Sequence, residues 1–319
     1  MHIPAPVELI ATCWTSAGNV RPGRTSGVSP VDIDDRIGAI AASGYHGIGL
    51  GWDDLQDLER TIGFPALRDR IVAAGLQHIE VEFLNDWWID GPRRAASDAV
   101  RDGLLRAAEG LRARHIKVGC GDFGDTRDHA RLRSELRLLA DQAGDHGTRV
   151  ALEPGAGSAL DLTGEAIPLL ADLAHPALGL MLDPWHFVRA GLPYEQVLSA
   201  LPRELIGAAE LSDGVEVCHG TLFDDTFDRR LPPGHGEFNV PAFVAAVRRA
   251  GFDGPWGVEV MSERTREQAP ADVLLTCAHA ARDCLREPSD VEGAFARRAP
   301  IPAPVKQPAT ITPVLISGA

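Results

Sequence analysis

The chain has 319 residues, 45% of them hydrophobic and 24% charged, which is enough apolar surface for one large α/β domain. Its net charge of −14 argues against nucleic acid as a partner, because phosphate contacts need a basic face. No apolar run reaches the roughly 18 residues of a membrane helix, we find no secretory signal, and five dispersed cysteines suit a reducing compartment. We therefore expect a cytoplasmic protein without a membrane partner.

Eight apolar or β-branched runs follow one another along the chain and predict strands. They are residues 7–12, 46–51, 76–83, 115–119, 148–153, 178–183, 205–211 and 256–261. Segments with helical periodicity lie between them, at 31–44, 63–75, 94–115, 130–147, 163–175 and 239–251. Regular strand–helix alternation predicts a parallel sheet, and eight such units predict a (β/α)8 TIM barrel of the α/β class. An open doubly wound sheet is the alternative, but no GxGxxG motif follows the first strand.

The pattern of strands and helices stops near residue 288. The segment from there to the end is rich in Pro and Ala and has no helical period. We predict a single barrel domain over residues 1–287 and an extended or disordered tail over residues 288–319.

Four acids, Glu153, Asp183, Glu210 and Glu259, each stand at the end of one of the last four strands. The carboxyl ends of barrel strands meet at one face, so these side chains are expected to converge. Converging carboxylates repel one another unless a cation or protons neutralise them. The pattern predicts a metal site, although any single acid is equally expected as a helix cap or rim ion pair.

Some positions near these acids are open to more than one interpretation. Asp213 lies three residues after Glu210 and is the alternative inward-facing acid on that strand. Lys117, on the predicted fourth strand, is a candidate for Schiff-base chemistry. A surface charge or a structural partner is the more common role of a lone lysine at a strand end.

Several tryptophans fall near the predicted carboxyl ends of strands, where rings suit the apolar faces of sugars. The candidates for substrate binding are Trp14, Trp52, Trp88 and Trp185. Packing against helices and loops is the alternative for each ring. Glu80 and Glu82 share one face of the third strand; Glu82 is a candidate near the metal or substrate, and Glu80 a candidate for an ion pair at the barrel bottom.

The motifs ALEP, LDPWH, AELSD, RLPPGHGE and GVEV together resemble the xylose isomerase-like TIM barrel superfamily, specifically its sugar phosphate isomerase/epimerase group. The early segments IATCWTSAG and SGYHGIGLGWDDL are also similar to the first two strands of that group. The resemblance extends over about residues 7–265.

The resemblance implies roles for individual residues. It implies Glu153, Asp183 and Glu259 as metal ligands, with Glu153 and Glu259 also as acid/base groups on opposite faces of the substrate. It implies that His186 contacts substrate oxygens and takes part in catalysis, and that Arg230 contacts a substrate hydroxyl or carbonyl.

The sequence departs from the group at two positions. Glu210 stands where the epimerases carry a metal-binding His, and His235 occupies a turn position where an acid is usual. A first shell made only of carboxylates favours a hard cation, and we expect one divalent metal, Mn²⁺ in preference to Mg²⁺ or Co²⁺. His235 is expected to be a loop residue.

The leading functional prediction is a metal-dependent isomerase or epimerase acting on a small carbohydrate or keto-sugar through a metal-stabilised enediolate. A lyase is the first alternative, of the inosose dehydratase type or cleaving 3-keto-glycosides and C-glycosides, since elimination begins with the same proton abstraction. A non-catalytic carbohydrate-binding barrel is the second alternative. A homo-oligomer or a partner subunit is compatible with any of these interpretations.

Overall fold

The computed structural model describes residues 7–121 and 128–286. Eight parallel strands pair in sequence order, and the eighth pairs with the first, so the sheet closes into a barrel. The strands are β1 (Leu9–Ala11), β2 (Gly47–Gly51), β3 (His78–Leu84), β4 (Ile116–Gly119), β5 (Val150–Glu153), β6 (Leu178–Leu182), β7 (Ile206–Leu211) and β8 (Trp256–Val258). The predicted (β/α)8 TIM barrel is confirmed.

Helices follow the strands and cover the outside of the barrel. They are α1 (Cys13–Ser16), α2 (Ile33–Ala42), α3 (Trp52–Thr61), α4 (Phe64–Ala73), α5 (Pro92–Leu111), α6 (His129–Asp145), α7 (Ile167–Leu173), α8 (Pro184–Arg189), α9 (Tyr194–Leu198), α10 (Leu222–Asp228), α11 (Val240–Arg249), α12 (Glu263–Arg266) and α13 (Pro270–Cys284). A π-helical turn (Leu162–Ala166) precedes α7, and a 3₁₀ turn (Arg203–Leu205) precedes β7.

Helix boundaries follow from local chemistry. The side chain of Asp32 accepts a hydrogen bond from the Asp34 amide and begins α2, and Asp128 begins α6 through the Arg131 amide. The predicted helix over 163–175 divides into a π turn and α7. Pro168 lies at the start of α7, where its missing N–H is tolerated.

The inside and the outside of the barrel wall differ in composition. Between the wall and the helices lies one continuous apolar core, to which β4 contributes Ile116 and Val118. Inside the barrel, Lys117 and Glu82 are almost fully buried. Branched apolar side chains usually fill this interior, so charged groups there require counter-charges.

Contacts divide the chain into two units, Met1–Leu285 and Arg286–Ala319. The first unit contains the whole barrel. The tail predicted over residues 288–319 lies outside the described residues and stays a prediction. None of the described helices is both long and apolar enough to cross a bilayer.

Candidate metal centre and active site

Glu153, Asp183, Glu210 and Glu259 meet at the carboxyl end of the barrel, and we call them the acidic cluster. Glu153 is the last residue of β5 and Glu210 is the last but one of β7, whereas Asp183 and Glu259 directly follow β6 and β8. Each of the four residues is at most 8% exposed. One oxygen from each lies within 4.8 Å of the others. The convergence predicted from strand ends is present, which makes the acidic cluster a candidate metal centre.

Asp213 does not share this role. Its carboxylate accepts hydrogen bonds from the amides of Gly214 (2.7 Å), Gly236 (3.0 Å) and Phe238 (3.0 Å). It therefore holds together the loops after β7, and Glu210 is the acid of that strand that points inward. His235 lies exposed in the same loop region, as expected for a loop residue.

Lys117 is the cation of the barrel interior. Its Nζ lies 2.7 Å from Glu210 Oε1, 2.7 Å from Glu259 Oε1 and 3.2 Å from Glu82 Oε2. The side chain is 1% exposed, and the neighbouring glutamates outweigh the effect of burial and raise its pKa well above the usual value. A charged ammonium held by three carboxylates is a structural partner and is not a Schiff-base nucleophile.

Arg230 is the second buried cation of the site. Its Nη1 donates to Asp183 Oδ2 at 2.5 Å and to the hydroxyl of Ser212 at 3.1 Å, and it lies 3.1 Å from Glu259 Oε2. The Ser212 hydroxyl donates in turn to Asp183 Oδ1 at 3.0 Å. Arg230, at 1% exposure, orients the acids; the substrate contact implied for it stays a prediction.

Negative charge exceeds positive charge in this region. The acidic cluster and Glu82 supply five carboxylates, against the two cations Lys117 and Arg230. Burial and the charge of Glu259 raise the pKa of Glu210 well above its usual value. Burial raises the pKa of Glu259 to about 7, although Lys117 and Arg230 oppose this shift. A divalent cation would offset most of the excess charge.

The oxygen atoms left without donors fit such an ion. Within the described residues, neither oxygen of Glu210 nor Oε1 of Glu153 accepts a hydrogen bond, although Lys117 lies close to Glu210. Buried oxygens without donors are unusual in proteins. Carboxylates suit hard cations. Glu153 and Asp183 also form a second set of candidate ligands with His186.

His186 lies on α8, one turn after Asp183. Its Nδ1 accepts a hydrogen bond from the Ala156 amide at 3.2 Å, so a neutral ring carries its proton on Nε2. Nε2 lies 3.4 Å from Glu153 Oε1. Burial opposes ionisation of Glu153, but His186 and Lys117 outweigh it and hold its pKa below the usual value. The pair therefore consists of an ionised carboxylate beside a ring N–H.

A cavity of ≈ 370 Å³, the mouth cavity, opens beside this pair. Its wall includes Asp183 and His186, the glycine-containing segment 154–158, and the polar side chains of Asp161 and Thr163. Of the acidic cluster, Asp183 lines it and Glu153, Glu210 and Glu259 do not. The mouth cavity therefore meets the acidic cluster on its β5–β6 side.

The four candidate tryptophans occupy different environments. Trp14 is half-buried and its Nε1 donates to Glu82 Oε2 at 3.0 Å, so these two candidates contact each other beside Lys117. Trp52 packs on Gly103 of α5, away from the acidic cluster.

The other two candidate rings, Trp88 and Trp185, are 1% and 0% exposed. Trp185 stacks under the guanidinium groups of Arg189 (4.2 Å) and Arg230 (5.0 Å). Trp185 thus packs against Arg230, while none of the four rings lines the mouth cavity. Their roles in substrate binding stay predictions.

Comparisons with known proteins agree with this architecture. The chain is 28% identical over 141 residues, 44% of its length, to a 3-dehydroshikimate dehydratase of Pseudomonas putida, of which 22% is covered. It is 26% identical over 241 residues, 73% of its length, to a protein of the same name from Pseudomonas aeruginosa, of which 37% is covered. The chain thus spans well under half the length of these curated relatives.

Among solved structures, the IOLI protein crystallised with a zinc atom superposes with a TM-score of 0.70 at 17% identity, over 87% of this chain and 98% of that one. This likeness concerns the fold. The sequence profile described as xylose isomerase-like TIM barrel matches residues 37–277. The chain belongs to the xylose isomerase-like TIM barrel family.

Proposed function

We propose that this chain is a divalent-metal-dependent lyase that removes water from a hydroxy-ketone. Its family and its acidic cluster support metal-assisted chemistry at a carbonyl compound. The two curated relatives, both called 3-dehydroshikimate dehydratase, favour elimination over the isomerisation that the sequence alone suggested.

The acidic cluster would hold the metal through Glu153, Asp183, Glu210 and Glu259. These residues supply carboxylate oxygens, which favour Mn²⁺ or Mg²⁺. When bound, such an ion supplies Lewis acidity to a carbonyl oxygen and so acidifies the neighbouring C–H. Arg230 and Ser212 keep Asp183 in place for this purpose.

Glu153 would move the proton of the elimination, and His186 would bind the departing oxygen. Glu153, ionised, takes the proton from the carbon beside the carbonyl. The bond from the next carbon to its hydroxyl then breaks and a C=C bond forms, while the proton held by Glu153 passes to the departing oxygen, which leaves as water. His186 Nε2 lies 3.4 Å from Glu153, and its N–H would donate a hydrogen bond to that oxygen. Atoms and charges balance, and Glu153 returns to its ionised state.

The observation that carries this choice is the position of Glu259. Epimerisation by two opposed acids requires the second acid to reach the substrate. Glu259 is 2% exposed and is held between Lys117 (2.7 Å) and Arg230 (3.1 Å), whereas Oε1 of Glu153 accepts no hydrogen bond within the described residues. A single acid/base group on one side of the substrate suffices for elimination. Isomerisation stays a prediction.

The lining of the mouth cavity supports a substrate with several hydroxyl groups. Ser158, Thr163 and Asp161 supply polar atoms, and Phe187 and Leu162 supply apolar surface. No lysine or arginine lines this cavity among the described residues. We propose a cyclic or sugar-like hydroxy-ketone without a phosphate group.

The test is to incubate the Mn²⁺-loaded protein in D₂O with 3-dehydroshikimate, inososes, 3-keto-glycosides and ketoses, and to follow each by proton NMR. The expected result is an unsaturated or aromatic product with stoichiometric loss of water for one of these classes. Epimer formation with deuterium incorporation would instead establish the isomerase prediction. Tight binding without turnover in the whole panel would favour the carbohydrate-binding barrel.

A further inference from the structure

A second cavity, of ≈ 210 Å³, opens at the opposite end of the barrel, and we call it the basal cavity. Its wall consists of Arg114, His115, Arg149, Val150, Ala151 and Gly207. Arg114 and His115 directly precede β4, and Arg149 directly precedes β5. The basal cavity therefore lies at the amino ends of the strands, away from the acidic cluster.

Small residues create this space. Ala151 on β5 has only a methyl group, and Gly207 on β7 packs so closely on Gly179 of β6 that an added Cβ would lie 3.1 Å from its backbone. Ala151 is buried beside Met181 and Ala208, the only other members of its apolar group among the described residues. The amino end of the barrel is thus left partly open.

Two arginines of the basal cavity have no protein counter-ion. Neither Arg114 nor Arg149 donates a side-chain hydrogen bond or forms an ion pair within the described residues. Arg94 and Arg131, by contrast, bind acids. Partial burial lowers the pKa of Arg114; the nearby charge of Glu80 opposes this shift and that of Arg149 adds to it. Two adjacent guanidinium groups in a chain of net charge −14 form a local positive site.

His115 adds a buried polar group to the same wall. Its side chain is 5% exposed, and its Nε2 makes no hydrogen bond within the described residues. The acid facing it is Glu80, whose Oε2 lies 3.3 Å from Nε2. Glu8 also acts on Arg114 at longer range, but its carboxylate is bound to His78 at 2.8 Å. Glu80 offsets one positive charge, so the two arginines leave the basal cavity positive.

We propose that the basal cavity binds a small oxyanion, a phosphate or a small carboxylate. The guanidinium groups of Arg114 and Arg149 supply paired N–H donors in the planar geometry that such anions prefer. His115 closes the inner wall. This site is separate from the acidic cluster and does not depend on the reaction proposed for it.

The test is isothermal titration of the whole protein with inorganic phosphate and, separately, with malonate. The arginine variants Arg114→Gln and Arg149→Gln are each expected to weaken binding by about 10-fold to 100-fold, because each removes charged hydrogen bonds. Arg112→Gln is the matched control, since Arg112 is an exposed arginine two residues from Arg114 that does not line the cavity. The control should bind as the wild type does. The ratio of the phosphate and malonate affinities identifies which kind of oxyanion the site prefers.

Phosphate could also bind a metal at the acidic cluster, so the titration is repeated after dialysis against EDTA. The proposal expects unchanged affinity after chelation. Absence of binding up to about 10 mM, equal affinity in all three variants, or loss of binding only on chelation would each overturn it. Thermal unfolding of the variants checks that each remains folded.

Discussion

The two ends of the barrel interior carry opposite charge, and the protein offsets that charge with bound counter-charges mainly at the carboxyl end. At the carboxyl end, the acidic cluster is buried and partly offset by two internal cations, Lys117 and Arg230. At the amino end, Arg114 and Arg149 are exposed to solvent and have no acid bound to them among the described residues. A buried charge must be matched by the protein itself, whereas a charge at an open rim can be hydrated until a ligand arrives. The carboxyl end is therefore the preorganised one.

Glu153→Gln is expected to have the largest effect on activity. The variant keeps the shape of the side chain but loses the base and one anionic ligand, so kcat/KM for the lyase reaction should fall by about 10²-fold to 10⁴-fold. Glu204→Gln, an exposed glutamate outside the acidic cluster, is the control. Activity of the Glu153 variant within a few-fold of wild type would remove Glu153 from the reaction.

Lys117→Met tests whether the carboxyl end is held together by its own cation. Loss of the ammonium leaves three buried glutamates without their partner, and the free energy of unfolding should fall by about 3–5 kcal/mol. Urea denaturation measures the change. The double variant Lys117→Met/Glu210→Leu removes one acid as well and should recover part of the loss. A single variant as stable as the wild type would contradict the charge balance described for this end.

His186→Leu tests the hydrogen bond to the departing oxygen. Loss of the Nε2–H should lower kcat by about 10²-fold, with a smaller change in KM, because the donor acts on the departing oxygen. The control is His129→Leu, since the ring of His129 is 70% exposed. An unchanged kcat in the His186 variant would mean that His186 does not bind the departing oxygen.

Substitution of Asp228, at the rim of the carboxyl end, is expected to change the free energy of unfolding least. Arg21 and Arg266 outweigh its partial burial and hold the pKa of its carboxyl below the usual value. Its ion pairs therefore stabilise the fold above about pH 4, and this stabilisation disappears as the pH falls through the lowered pKa. Asp228→Asn should lose about 1 kcal/mol or less at pH 7 and approach the wild type as the pH falls below that pKa. Equal stability at pH 7, measured by urea denaturation, would show that these ion pairs contribute nothing.

The strand ends were predictable because apolar runs are local signals. The acids Glu153, Asp183, Glu210 and Glu259 each follow or end such a run, and barrel closure brings all such positions to one face. A structural partner was one of the roles expected for Lys117, but its position inside the barrel was not predicted. The alternation Ile116, Lys117, Val118 could have indicated it, since the apolar neighbours face the helices and the lysine must then face inward.

Side-chain directions in the loops were less predictable. Trp52 follows β2 as expected, but its ring packs on Gly103, which lies some fifty residues further along the chain. The choice between packing and substrate contact depends on that distant partner, which no local pattern of the sequence contains. The same holds for the contact of Trp185 with Arg230, which comes from the loop after α10.

The metal content of the protein tests the central claim most directly. The wild type and the Asp183→Asn variant are dialysed against Mn²⁺, freed of excess metal and assayed by elemental mass spectrometry, with circular dichroism as the check on folding. A metal centre at the acidic cluster predicts about one ion per wild-type chain and a large loss in the variant. No bound ion in the wild type, or equal retention in both proteins, would contradict it.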